Sequence, residues 1–156
     1  MLLIKRFPSH AIAKLCAILL VLRLKPLLQN LKSEQIAVIP LPRTKKNVQE
    51  FGHDQTLLIA HEFAYLLARY RYRVNVYPKT LLNVGTKTHH SLSTKAEREQ
   101  ASLKQFKLGS TLPPQTSHLI ILDDIITSGS TMRAAQNLLA KTGYFKMMCV
   151  GILLKD

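Results

Sequence analysis

Leu119-Ile120-Ile121-Leu122-Asp123-Asp124-Ile125-Ile126-Thr127-Ser128-Gly129-Ser130-Thr131-Met132 is the stretch from which the rest of the chain is read. Leu119 to Leu122 run without polar alternation, the pattern of a strand covered on both faces at the centre of a parallel sheet. Asp123 and Asp124 follow where that strand should leave the sheet. Thr127, Ser128, Gly129, Ser130 and Thr131 come next, before a helical pattern that starts at Met132. Small hydroxyl residues around a glycine at a helix start aim backbone N–H groups, hydroxyls and the positive helix end at one point, and that point suits a phosphate. The two acids, set beside the phosphate, can accept hydrogen bonds from sugar hydroxyls or hold a divalent cation shared with the ligand. A plain strand-to-helix turn with a Ser or Thr N-cap would leave both acids without a task.

Working outward, Ile36 to Pro40 reads as a second apolar strand. Leu41, Pro42, Arg43, Thr44, Lys45 and Lys46 form the basic, proline-fixed loop after it, where ligands bind in open α/β sheets. Asp54 can cap a helix running to about Tyr70, with Leu57, Ala60, Ala64 and Leu67 at core spacing. Arg73 to Tyr77 alternates as a strand does, and Pro78 then Leu81 to Val84 suggest a second strand or a continuation beyond a kink. The polar stretch from Thr86 to Gln105, with Lys87, His89 and Arg98, reads as a loop containing a short helix over Thr94 to Lys104. Gly109 to His118 is a connector. Downstream, a helix from Met132 to Thr142 closes at Gly143, and Met147 to Leu153 forms a last strand. At the other end, Ser9 to Leu24 reads as a helix with Ser9 as its cap; it is too short and too charged for a membrane span or a cleaved signal. Strands alternating with helices predict an α/β fold, a mostly parallel twisted sheet flanked by helices.

A chain of 156 residues with 47% hydrophobic content predicts one domain over residues 1–156. Cys16 and Cys149 stand far apart and suggest neither a disulfide framework nor a zinc site, which fits a reducing cytoplasm. The six glycines nowhere form a dinucleotide-binding or Walker-type pattern, so those nucleotide folds are disfavoured. A net charge of +13 is the strongest compositional anomaly, and no acid occurs before Glu34 or between Glu62 and Glu97. Such a field draws polyanions, whether nucleic acid or a pyrophosphate-bearing substrate.

The order of apolar strand, Asp123-Asp124, two residues and Thr127-Ser128-Gly129-Ser130-Thr131 resembles the phosphoribosyl pyrophosphate (PRPP) motif of type I phosphoribosyltransferases. Further stretches are similar to the ComF family, phosphoribosyltransferase-fold proteins associated with DNA uptake in competent bacteria. Lys5-Arg6-Phe7 resembles the family's Leu-Lys-Tyr opening. Ile39-Pro40 with Arg43, then Gly52-His53-Asp54-Gln55, resembles its Pro…Arg…Arg-Gly-Phe-Asn-Gln segment, with Phe51, His53 and Asp54 departing from it. His89-x-x-Leu92 with Glu97-Arg98 and Phe106 resembles Gln-x-x-Leu…Glu-Arg-x-x-Asn…Phe, with His89 and Ala101 as departures. The four-cysteine zinc module that many relatives carry does not occur in this sequence.

The resemblance implies a type I phosphoribosyltransferase-like domain that binds PRPP, or a ribose 5-phosphate ligand, with Mg2+ as cofactor. The 5-phosphate would lie on Thr127 to Thr131, and the ribose hydroxyls and the metal on Asp123 and Asp124. Pyrophosphate would sit on Leu41 to Thr44, with Lys87, His89 and Arg98 closing over the site. Competence proteins and a second copy of the chain are the protein partners it suggests. The competing expectation is a non-catalytic ligand sensor or single-stranded DNA binder, whose basic surface tracks phosphates while Tyr65, Tyr70, Tyr72 or Tyr77 stack bases.

Overall fold

The computed structural model describes residues 10–44, 48–49, 54–85 and 105–154. Elements among these residues are helix α1 (His10–Leu28), a 3-10 turn (Gln29–Leu31), strand β1 (Gln35–Pro40), helix α2 (Gln55–Arg69), strands β2 (Arg73–Val76), β3 (Leu81–Asn83), β4 (Phe106–Leu108) and β5 (Thr116–Ile126), helix α3 (Ser130–Ala140) and strand β6 (Met147–Leu154). Four strands make one parallel sheet in the order β2-β1-β5-β6, and β3 pairs antiparallel with β4 apart from it. The expected α/β architecture is the one observed.

Both faces of the central strands are covered, which explains their unbroken apolar runs. Ile36, Val38, Ile120 and Leu122 face a core shared with α1 and α2, including Leu20, Leu24, Ile59 and Phe63. Ala37, Ile39, Leu119 and Ile121 face the other way, against Leu81, Phe106 and the Met132, Ala135 and Leu139 stripe of α3. The β1-to-β2 crossover and the β5-to-β6 crossover therefore lie on opposite faces. The strand order reverses between β1 and β5, and a crevice at the carboxyl ends of such a pair is where α/β sheets bind ligands.

Several boundaries differ from expectation. α1 continues past Leu24 to Leu28, with Pro26 inside its last turn. Its buried residues Ala13, Ala17, Leu20, Leu24 and Leu28 recur at helical spacing, and burial of Leu28 holds that extra turn. Leu15, Leu19 and Leu22 lie on the outward side, 57%, 55% and 64% exposed. β4 was not foreseen, being only three residues long between polar neighbours. β3 and β4 each hold one buried side chain, Leu81 and Phe106. α3 begins at Ser130 rather than Met132. The Ser9 cap and the Thr94 to Lys104 helix lie outside the described residues. Among the described residues no helix is long and apolar enough to cross a membrane.

α2 starts where its sequence directs, although Leu57, expected in the core, is only half-buried and Ile59 and Phe63 fill the buried face beside Ala60, Ala64 and Leu67. The Asp54 carboxylate accepts from the Leu57 N–H at 3.1 Å, filling the N-cap role. At the other end Arg71 N–H donates to the Ala68 carbonyl and Tyr72 N–H to that of Leu67, with Arg71 at φ 68°. This is a Schellman closure with arginine in the left-handed place usually given to glycine. Tyr72 and Leu67 both pack into the core below it.

Candidate functional site

β5 is longer than the aliphatic run suggested, and this changes where the acids sit. They were expected where the strand leaves the sheet, yet the strand carries them and ends only at Ile126. On the β6 side Asp123 pairs with Gly151, and the ladder continues through Ile125 and Ile126. On the β1 side pairing stops at Pro40 opposite Leu122. The acids thus overhang the end of β1 while remaining fixed by β6. Gly151 is part of this fit: a Cβ there would lie 2.5 Å from Cδ1 and Cγ1 of Ile126, the last strand residue before the hydroxyl loop.

The loop after β1 fills the overhang. Leu41 N–H donates to the Leu122 carbonyl at 2.8 Å, carrying the ladder one step beyond Pro40. Arg43 then donates from Nη2 to Oδ2 of Asp124 in a close ion pair, with side chains only 11% and 14% exposed. Two segments 81 residues apart in sequence, each singled out as a candidate, meet at the switch point.

Asp123 and Asp124 take different environments although adjacent. The Asp123 carboxylate accepts from the Asp124 N–H at 2.9 Å. Burial, and then the neighbouring Asp124 carboxylate, push Asp123 from its ordinary 3.8 up to about 7, against the pull of that N–H and of Arg43. Among the described residues no three or more His, Cys, Asp or Glu side chains gather as a metal site. The donor set fits Mg2+ in the way that ion is usually held, by one or two carboxylates with the remaining positions on water and ligand phosphate.

Thr127 and Ser128 are exposed, and Gly129, Ser130 and Thr131 half-buried, in the turn between β5 and α3. No side chain caps α3: Gly129 holds the cap position at φ 69°, and the Ser128 hydroxyl bonds that of Ser130 at 3.0 Å. None of these hydroxyl residues holds the N-cap position itself, although the Ser128 hydroxyl accepts from the Ser130 N–H at 3.4 Å at the helix start.

Lys87, His89 and Arg98 lie outside the described residues. A residue not anticipated is Asn83, at the end of β3. Its Nδ2 donates to the Pro42 carbonyl at 2.9 Å, and its Oδ1 accepts from the Gly85 N–H at 3.0 Å. An asparagine two residues before a glycine is a turn signal legible in the sequence; its grip on Pro42, 41 residues away, is not. A cavity of about 250 Å3 lies elsewhere, between the base of the β3–β4 pair and the end of α3, lined by Thr80, Ser110, Leu112, Leu139, Thr142 and Tyr144. It contains none of the predicted site residues, and chemistry is better sought at the acid pair.

Of the tyrosines considered for base stacking, Tyr72 is buried, with Lys32 Nζ 5.9 Å from its ring centre, so it is removed from that role. Tyr65 and Tyr70 are more than half exposed, and Tyr77 packs against the α3-side core.

The fold is similar to that of a hypoxanthine phosphoribosyltransferase from Staphylococcus aureus, with a TM-score of 0.55 at 12% sequence identity. The match covers 95% of this chain and 66% of that one. The chain therefore has a phosphoribosyltransferase-like fold and spans about two thirds of that relative's length. No protein-family model and no curated protein matches the sequence.

Proposed function

We propose that the chain binds PRPP, or a closely related 5-phosphoribosyl ligand, and acts as a phosphoribosyltransferase of the ComF type. The observation that carries the reading is the meeting of Arg43 with Asp124 at the switch point of a phosphoribosyltransferase-like sheet, beside a glycine-hydroxyl turn that opens a helix. On this reading, backbone N–H groups and hydroxyls of Thr127 to Thr131 hold the 5-phosphate. Asp123 and Asp124 accept from the ribose hydroxyls, and Leu41 to Thr44 receive the pyrophosphate. Mg2+, held by the two aspartates together with the ligand, would neutralise charge on the departing pyrophosphate. Positive charge developing at C1 during transfer would be favoured by the carboxylates below it. Lys87, His89 and Arg98 complete the proposed site, and a place in DNA uptake follows from the ComF resemblance.

Calorimetric titration with PRPP and Mg2+ tests this directly, beside Asp123→Asn/Asp124→Asn and a thermal melt. The parent should bind, and the double variant should lose roughly 1.5–3 kcal/mol for each charge-assisted bond removed while still melting cooperatively. A parent that does not bind PRPP, with a double variant that melts far lower, would make the acids structural and end the reading.

A second reading, binding of single-stranded nucleic acid, is favoured by one surface. Arg69, Tyr70, Arg71 and Arg73 are all exposed at the corner between α2 and β2. Basic residues interleaved with an aromatic ring suit a single strand. The corner lies at the amino ends of the parallel strands, opposite the acid pair, so the two activities would be separable by mutation.

A further inference from the structure

We propose that the outward face of α1 seats the protein on an anionic lipid bilayer, with the helix lying in the plane of the membrane surface. This contact is independent of the phosphoribosyl reading and uses none of that site's residues. At about 100° per residue, Leu15, Ile18, Leu19 and Leu22 fall within roughly 100° of one another around the helix, over about two turns. All four are exposed, Ile18 at 38% and each of the three leucines above half. The opposite side of α1 is occupied by the core, through Ala13, Ala17, Leu20, Leu24 and Leu28. The helix is therefore apolar on two sides, and the core covers one of them. A contiguous exposed apolar stripe of this kind marks a contact surface.

Charge decides what fits that surface. Lys14 and Lys25 border the stripe on one flank and Arg23 on the other, each within about 40° of its edge, and all three are exposed. α1 contains no acid, and the single acid of α2, Glu62, lies with its Oε1 3.9 Å from Nδ1 of His10 at the start of α1. Long cationic side chains on both margins can reach lipid phosphates while the leucines enter the acyl boundary. A second copy laid on the same stripe about a two-fold axis would set these cations against their own counterparts, with no acid on the helix to pair them. Among the described residues no helix is long and apolar enough to cross a membrane, so α1 lies on the surface and does not span it.

The test is flotation of the full chain with vesicles of phosphatidylcholine alone and of equal parts phosphatidylcholine and phosphatidylglycerol, with folding checked by a thermal melt. The parent should partition onto the anionic vesicles at least about tenfold more strongly than onto the neutral ones. A chain of net charge +13 meets any anionic surface by charge alone, so the stripe is tested separately. Leu19→Gln/Leu22→Gln keeps the charge and should lower partition by about tenfold or more. Lys14→Gln/Arg23→Gln/Lys25→Gln should lower it further than Arg69→Gln/Arg71→Gln/Arg73→Gln, which removes the same charge at the α2–β2 corner. The chain has no tryptophan, so Leu22→Trp supplies a sole reporter whose emission should shift to the blue on anionic vesicles. Unchanged emission from a vesicle-bound Leu22→Trp protein, or equal losses from the two triple variants, would reduce the contact to general attraction and overturn the proposal. Light scattering that shows a parent dimer, dissociated by Leu19→Gln/Leu22→Gln, together with no vesicle binding would assign the stripe to a second copy and overturn it as well. A parent that is monomeric and binds no vesicle overturns it too. If Leu19→Gln/Leu22→Gln does not melt cooperatively, the Leu22→Trp emission decides.

Discussion

At pH 5 the folded chain holds a proton on Asp123 that the unfolded chain has largely released. Its folded value is raised to about 7 against an ordinary 3.8, so between those limits the native state binds more protons than the unfolded one. Stability attributable to this group is present at low pH and is lost as pH rises through about 7. The advantage of Asp123→Asn over the parent in urea should be smallest at pH 4 and grow toward pH 8; an advantage that does not change with pH would show that Asp123 is not shifted. Gly129 is the other residue with a definite expectation. A side chain there meets both a left-handed backbone and Nη1 of Arg133, 3.2 Å from the new Cβ. Gly129→Ala should cost about 1–2 kcal/mol in a denaturant titration, and Gly129→Val should in addition abolish PRPP binding by crowding the anion's approach. PRPP binding by the valine variant at parental strength would move the phosphate off this turn.

Among the elements, α2 ends with an unfavourable residue in a favourable closure. Arg71 pays the left-handed penalty while the Schellman bonds around it are complete, so Arg71→Gly should stabilise the chain by about 1 kcal/mol, read as a raised melting temperature. The β5–β6 pair carries the opposite risk. Gly151→Ala drives a methyl into Ile126, at a cost of roughly 1–3 kcal/mol from overpacking. Adding Ile126→Ala should restore much of that loss, and a double variant no better than the sum of the two singles would deny the contact.

For the whole molecule the open question is the charge of +13. If the basic residues of the two acid-free stretches track a single strand and neutralise about five phosphates, log affinity should fall with log salt at a slope near −3.5. Asp123→Asn/Asp124→Asn should leave that binding intact or tighten it. A flat salt response would leave the charge as solvated surface.

Local chemistry made much of this molecule legible. The aliphatic run of β5 and the Asp54 cap act through neighbours a few residues away, so they follow from spacing alone. The Leu41 to Thr44 loop and the acid pair were each singled out as candidates by the same means. Their joining through Arg43 and Asp124, the overhang of β5 beyond β1, and the hold of Asn83 on Pro42 depend on strand order and register. Those come from burying two apolar faces at once, a balance summed over the whole chain that no short stretch contains. The raised Asp123 has the same origin, because its burial and its partners exist only once β5, β6 and the loop after β1 have come together.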